Sequence, residues 1–109
     1  MSREFLGGET LTFAIGDLTQ YAVMPITGAA AMSKITNLLV PLNETFANAV
    51  TFEIKVGGNW YPHKDLTNKT ADQNKANVYT LEDSIAELRI KMVATVAGTA
   101  VVEWWGSRY

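Results

Sequence analysis

His63 is the only histidine in the chain, and any nucleophilic chemistry has to begin with it. A Ser-His-Asp arrangement would need this one imidazole as its base. It follows Pro62 at the lip of a polar stretch, where an exposed histidine with no chemical role is the ordinary expectation. The sequence has no cysteine, so a zinc site would have to be completed by carboxylates, an unusual donor set for that metal. Oxygen donors do gather at Asp65, Asn68, Thr70 and Asp72, the donor type that suits calcium. Their spacing fits no EF-hand loop, and a solvated loop has the same composition. No glycine-rich run follows a strand and opens a helix, so nucleotide phosphates find no cradle. Asn43-Glu44-Thr45 and Asn68-Lys69-Thr70 match the glycosylation pattern, but without a secretory signal they are read as chance. The residues therefore point away from an enzyme, with no cofactor and no metal.

The aromatic residues say more. Trp60-Tyr61 and Trp104-Trp105 are consecutive pairs, and on a strand one member of each pair must face away from the other. A core accounts for one member of each pair; the outward member needs a partner or a cover. Exposed aromatics are enriched at protein interfaces and on sugar platforms. Phe5, Leu6, Trp60, Tyr61, Trp105 and Tyr109 are the candidate contact residues, with a protein surface favoured over a carbohydrate. In the carbohydrate alternative, Trp60, Tyr61 and Trp105 would form a flat platform.

The elements that position these residues read as strands. Val50, Phe52, Ile54 and Val56 alternate with Thr51, Glu53 and Lys55, the mark of a strand with one dry and one wet face. Gly57-Gly58-Asn59 supplies residues that tolerate positive φ for a tight reversal. Trp60-Tyr61 starts the return and Pro62 ends it. Residues 1–8 read as an extended arm ended by Gly7-Gly8, leaving 9–109 as the folded domain. Strands are expected over Thr10–Gly16, Gln20–Met24, Lys34–Leu42 and Asn77–Leu81. His63 to Lys75 is a surface loop.

Leu81 to Met92 fits two templates. Leu81, Ile85, Leu88 and Met92 recur at helical spacing, and Thr80 with Asp83 imitates a capping box. Leu88, Ile90 and Met92 also alternate with Arg89 and Lys91, and the β-branched Val93, Thr95 and Val96 disfavour helix. The expectation is a helical turn at most around Glu82–Ala86, then a strand over Glu87–Thr95. Ala97-Gly98-Thr99 is then expected as a hairpin turn into a closing strand over Ala100–Trp105, with Trp104 inward and Trp105 outward. Seven or eight short strands without a sustained helix predict an all-β, antiparallel sandwich, a small barrel being the other closure.

A chain of 109 residues, 48% hydrophobic and 18% charged, suits one folded domain. Net charge is −2 and the nine basic residues are scattered, which leaves no footprint for nucleic acid or an anionic membrane. No apolar run approaches the ~20 residues of a membrane helix, and residues 1–8 lack a signal-peptide core.

Three runs carry a family resemblance: Val50-Thr-Phe-Glu-Ile-Lys-Val-Gly-Gly-Asn-Trp-Tyr-Pro62, Leu88-Arg-Ile-Lys-Met92, and Gly98-Thr-Ala-Val-Val-Glu-Trp104. In that order they resemble the small jelly-roll-like β-sandwich domains of tailed-phage virion proteins, over Lys34 to Trp105. The resemblance implies a non-enzymatic capsid decoration (cement) protein that stabilises a phage head. A carbohydrate-binding or host-recognition module of a tail or fibre is the alternative. It further implies a virion location after synthesis in the host cytoplasm. The implied partner is a major capsid protein or other virion protein, engaged by a homo-oligomer such as a trimer at a local three-fold.

Overall fold

The computed structural model describes residues 3–14, 18–25, 32–41, 48–67, 69–70, 76–81, 87–94 and 97–108. Its strands are β1 (Arg3–Phe13), β2 (Leu18–Val23), β3 (Met32–Pro41), β4 (Asn48–Val56), β5 (Asn59–Pro62), β6 (Lys69–Thr70), β7 (Asn77–Leu81), β8 (Leu88–Ala94) and β9 (Gly98–Arg108). Sheet A runs β1-β9-β3-β7 and sheet B runs β2-β8-β4-β5, with the two-residue β6 pairing with β4. All pairings are antiparallel. This is the antiparallel sandwich that the strand pattern predicted, of the jelly-roll type that the resemblance implied.

The dry faces meet between the sheets. Along β8, Leu88, Ile90, Met92 and Ala94 are buried while Arg89, Lys91 and Val93 are half-buried on the other face. The alternating template thus prevails over the helical one for this stretch, because each inward residue meets an opposing sheet. Residues 82–86, where a helical turn was expected, lie outside the described residues. On β4, Val50 and Phe52 are fully buried. On β9 Ala100, Val102 and Trp104 are buried too, so Trp104 is in the core as expected. The Phe52 ring lies edge-on to Trp104 at 6.5 Å and tilted against Tyr79 at 5.6 Å. Burial on this scale is the main favourable term for a sandwich of this size. The Trp104 indole N–H is buried without a hydrogen-bond partner among the described residues, a local cost within that core.

Two expectations are corrected. Arg3 to Gly8 is no arm: it is the first half of β1 and pairs with β9 from Arg3↔Ser107 onward. A register shift between Phe5 and Gly7 turns Leu6 inward, where it is buried. Gly7 adopts φ 145°, and a Cβ there would lie 2.7 Å from Pro25 Cγ. The second correction concerns β8 and β9, which form no hairpin. The chain leaves sheet B after Ala94 and enters sheet A at Gly98, where β9 fits between β1 and β3. The hairpin expected at Gly57-Gly58 is present, with both glycines at positive φ.

Candidate functional site

The sandwich leaves two outer faces, and the candidate residues divide between them. On the outer face of sheet B, β8 presents Arg89 and Lys91, and β2 presents Tyr21 opposite Lys91 and Val23 opposite Arg89. From the other side, β4 presents Thr51 opposite Lys91 and Glu53 opposite Arg89. Beyond it, β5 places Trp60 beside Lys55. Cross-strand register therefore brings a tyrosine, an arginine, a carboxylate and a tryptophan into one cluster, Glu53 directly across from Arg89 and the two rings one step off that register on either side.

Arg89 is the centre of that cluster. Its guanidinium carbon lies 4.1 Å from the centroid of the Tyr21 ring and 4.4 Å from that of Trp60. Its Nε donates to Glu53 Oε1 at 2.7 Å. The two side chains retain 21% and 13% exposure, so this pair is far less hydrated than an ordinary surface bridge. Lys55 Nζ lies 5.8 Å from the Trp60 centroid and 3.9 Å from Glu87 Oε2. The ring quadrupoles attract both cations. Tyr21 and Val23 stay exposed beside them, at 41% and 51%.

The outer face of sheet A holds the second aromatic group. Phe5 on β1 sits directly across from Trp105 on β9, edge to face, with centroids 5.0 Å apart. Trp105 Nε1 donates to Glu103 Oε1 at 3.1 Å, which fixes the indole on the sheet. Phe5 remains 54% exposed, and Val78 on β7 is exposed on the same face. Trp105 thus faces outward, as the alternation required.

The expected flat platform of Trp60, Tyr61 and Trp105 is not assembled. Trp60 and Tyr61 occupy opposite faces of β5, and Trp105 belongs to the other sheet. Tyr61 follows the inward parity of Ile54, yet is half exposed at the edge of sheet B. Leu6 belongs to the core, and Tyr109 lies outside the described residues.

His63 is not exposed, contrary to expectation; it is 8% accessible. Its backbone N–H donates to Phe52 O, and Leu66 O accepts from Phe52 N–H, so the turn after β5 stays tied to β4. The His63 carbonyl accepts from Leu66 N–H and from the Thr67 hydroxyl. Its Nδ1 accepts from the Asp65 amide at 3.1 Å. A triad histidine instead donates from Nδ1 to a carboxylate. The imidazole here serves as a turn-stabilising acceptor. The polar sequence around it concealed this role, because the bonds come from backbone amides.

Of the oxygen donors considered for calcium, Asp65 is exposed and Asn68 and Asp72 lie outside the described residues. Among the described residues no three of His, Asp or Glu stand together in a group that could hold a metal ion. No described helix is long and apolar enough to cross a membrane. Sequence reasoning missed Tyr21, Glu53 and Arg89. Each looks like an ordinary wet-face residue until the strand pairing brings them together on one face.

No family model matches the chain, and no curated protein matches it. Among solved structures, PirA superposes with a TM-score of 0.58 at 7% identity, covering 91% of this chain and 92% of that one. PirA, the Photorhabdus insect-related toxin A, is a β-sandwich toxin component. Identity this low carries the fold alone. The comparison nonetheless corrects the phage resemblance, since the similar structure is a toxin component and nothing links the chain to a phage. With it go the capsid-decoration and tail-module readings and the virion location. What the chain shares with PirA is the β-sandwich fold.

Proposed function

We propose that the chain is a non-enzymatic recognition domain that binds a protein through the outer face of sheet A, a second copy of itself being the first partner to test. The observation that carries this reading is the Phe5–Trp105 pair. A phenylalanine that is 54% exposed is held against a tryptophan whose N–H is already tied down. Both rings are therefore fixed before any partner arrives, and docking on them costs little side-chain entropy. Large aromatics in such positions are the residues that dominate binding energy at protein interfaces. The non-enzymatic half is supported by the use of the sole histidine as a turn acceptor.

Light scattering over a concentration series tests the reading. The native protein is expected to self-associate, and Phe5→Asp to remain monomeric with an unchanged circular-dichroism spectrum. Trp105→Ala is expected to weaken association by about 2 kcal/mol or more, as central aromatic anchors do. A native protein that stays monomeric at every concentration would refute the self-association reading. So would a Phe5→Asp variant that associates like the native chain.

A further inference from the structure

We propose that the outer face of sheet B is a docking site for an acidic polypeptide segment, independent of the Phe5–Trp105 surface. Arg89 and Lys91 would receive its carboxylates, and Tyr21 and Val23 its apolar side chains. The argument starts from the donors of Arg89. A guanidinium has five N–H groups in one plane. Glu53 takes the one on Nε, and the four on the two terminal nitrogens make no hydrogen bond among the described residues. The rings of Tyr21 and Trp60 flank this plane at 4.1 and 4.4 Å, so its orientation is set in advance. Such a fork matches a carboxylate in a bidentate way, and the entropy of ordering it is already spent.

Charge on this face points the same way. The outward positions of the described strands and Glu87 carry Lys55, Arg89 and Lys91 against Glu53 and Glu87. Both acids are engaged, Glu53 by Arg89 and Glu87 by Lys55. Lys91 has no ion-pair partner among the described residues and sits two residues along the central strand β8 from Arg89. The chain as a whole is net −2, so this face is locally of opposite sign and complements an acidic partner.

A peptide suits the face better than a sugar. The guanidinium stands against both rings, so Tyr21 and Trp60 do not form an open two-ring stacking surface. The exposed apolar Val23 lies directly across from Arg89. Tryptophan, tyrosine and arginine are also the three residue types most enriched at the energetic centres of protein contacts.

The test is a titration of the isotope-labelled full chain, followed by backbone amide NMR, with the peptide acetyl-Leu-Glu-Asp-Leu-Glu-amide as probe. Its glutamine/asparagine analogue and a uronate disaccharide are the comparison ligands. Saturable shifts along β8 and β2 with the acidic peptide, absent with the amide analogue, are expected. Arg89→Lys should weaken binding by about tenfold through loss of the planar fork. If Arg89→Lys disturbs the fold, Lys91→Gln, which leaves the Arg89 ring contacts intact, carries the test with an expected loss of about threefold. The proposal is overturned if the acidic peptide produces no shifts or if the amide analogue binds equally well. It is likewise overturned if the disaccharide binds and the peptide does not, or if Lys91→Gln binds like the native chain.

Discussion

Truncating Phe52 to alanine should remove most of the stability of the domain. The side chain has no accessible surface and projects from the middle of β4 between Val50 and Ile54. It meets the fully buried Ile90 across β8 and the rings of Trp104 and Tyr79 across the sandwich. Phe→Ala at buried sites typically costs about 3–5 kcal/mol, the larger values arising where the surroundings cannot collapse into the space. Collapse is restricted here because the neighbours belong to two different sheets, each fixed by its own ladder. Loss of the two ring contacts, each about 0.5–1.5 kcal/mol beyond burial, also favours the upper end of that range. Against a total of roughly 5–15 kcal/mol for a small domain, such a loss leaves little margin. At about 4 °C per kcal/mol for a chain of this size, the melting midpoint should fall by roughly 12–20 °C. Urea unfolding followed by tryptophan fluorescence, beside a calorimetric scan, measures both quantities. Phe52→Leu should keep most of the volume and cost roughly 1.5 kcal/mol or less. A Phe52→Ala midpoint within two or three degrees of the native value would refute the assignment of this face to the core. Equal losses for Leu and Ala would show that ring geometry, and not filled volume, sets the cost.

Arg89 and Glu53 should show a coupling of about 1–2 kcal/mol in a double-mutant unfolding cycle, above the ~0.2–1 kcal/mol of exposed pairs. Lys55 and Glu87, at 3.9 Å and more exposed, should couple near zero in the same cycle. Gly7→Ala should destabilise by about 1–3 kcal/mol in urea melts, since its φ is strained for any side chain and the new methyl would meet Pro25. Gly57→Ala, with φ 59° and open space around it, should cost only about 1 kcal/mol. His63→Ala should lower stability by about 1–3 kcal/mol through the unsatisfied Asp65 amide and the lost packing, with Asn as a partial rescue; an unchanged midpoint would refute the turn-acceptor role.

How far the fold could be read from sequence depended on where its information lies. Strands β4, β5, β7 and β8 are local objects: alternation and the Gly57-Gly58 turn specify them without reference to the rest of the chain. The first half of β1 was hidden because its bulge breaks the parity. Leu6 and then Leu11 and Phe13 all face inward although 6 is even and the others are odd, so no single alternation covers them. Gly7-Gly8 then looked like an end and not like a bend within a strand. The place of β9 was illegible for another reason. Nothing in Ala97-Gly98-Thr99 states whether the chain turns back within a sheet or crosses to the other one. The candidate sites divided similarly. The outward direction of Trp105 followed from Trp104 being inward, whereas the cluster of Tyr21, Arg89, Glu53 and Trp60 needs the registers of four strands.

The position of β9 also sets a schedule for folding. Sheet B needs only strands that end at Ala94, and its β4–β5 hairpin can form as soon as that segment exists. Sheet A cannot form in the same way, because among the described strands β1 pairs in it with β9 alone, and β3 reaches β1 through β9. On a ribosome adding about 5–20 residues per second, β1 emerges before the other described strands and must wait for β9 before its ladder exists. During that interval Leu6, Leu11 and Phe13 have no sheet to belong to. The parity break and the glycines in β1 then serve the nascent chain as well as the native one, since a bulged strand with Gly7-Gly8 in its middle is a poor template for premature pairing.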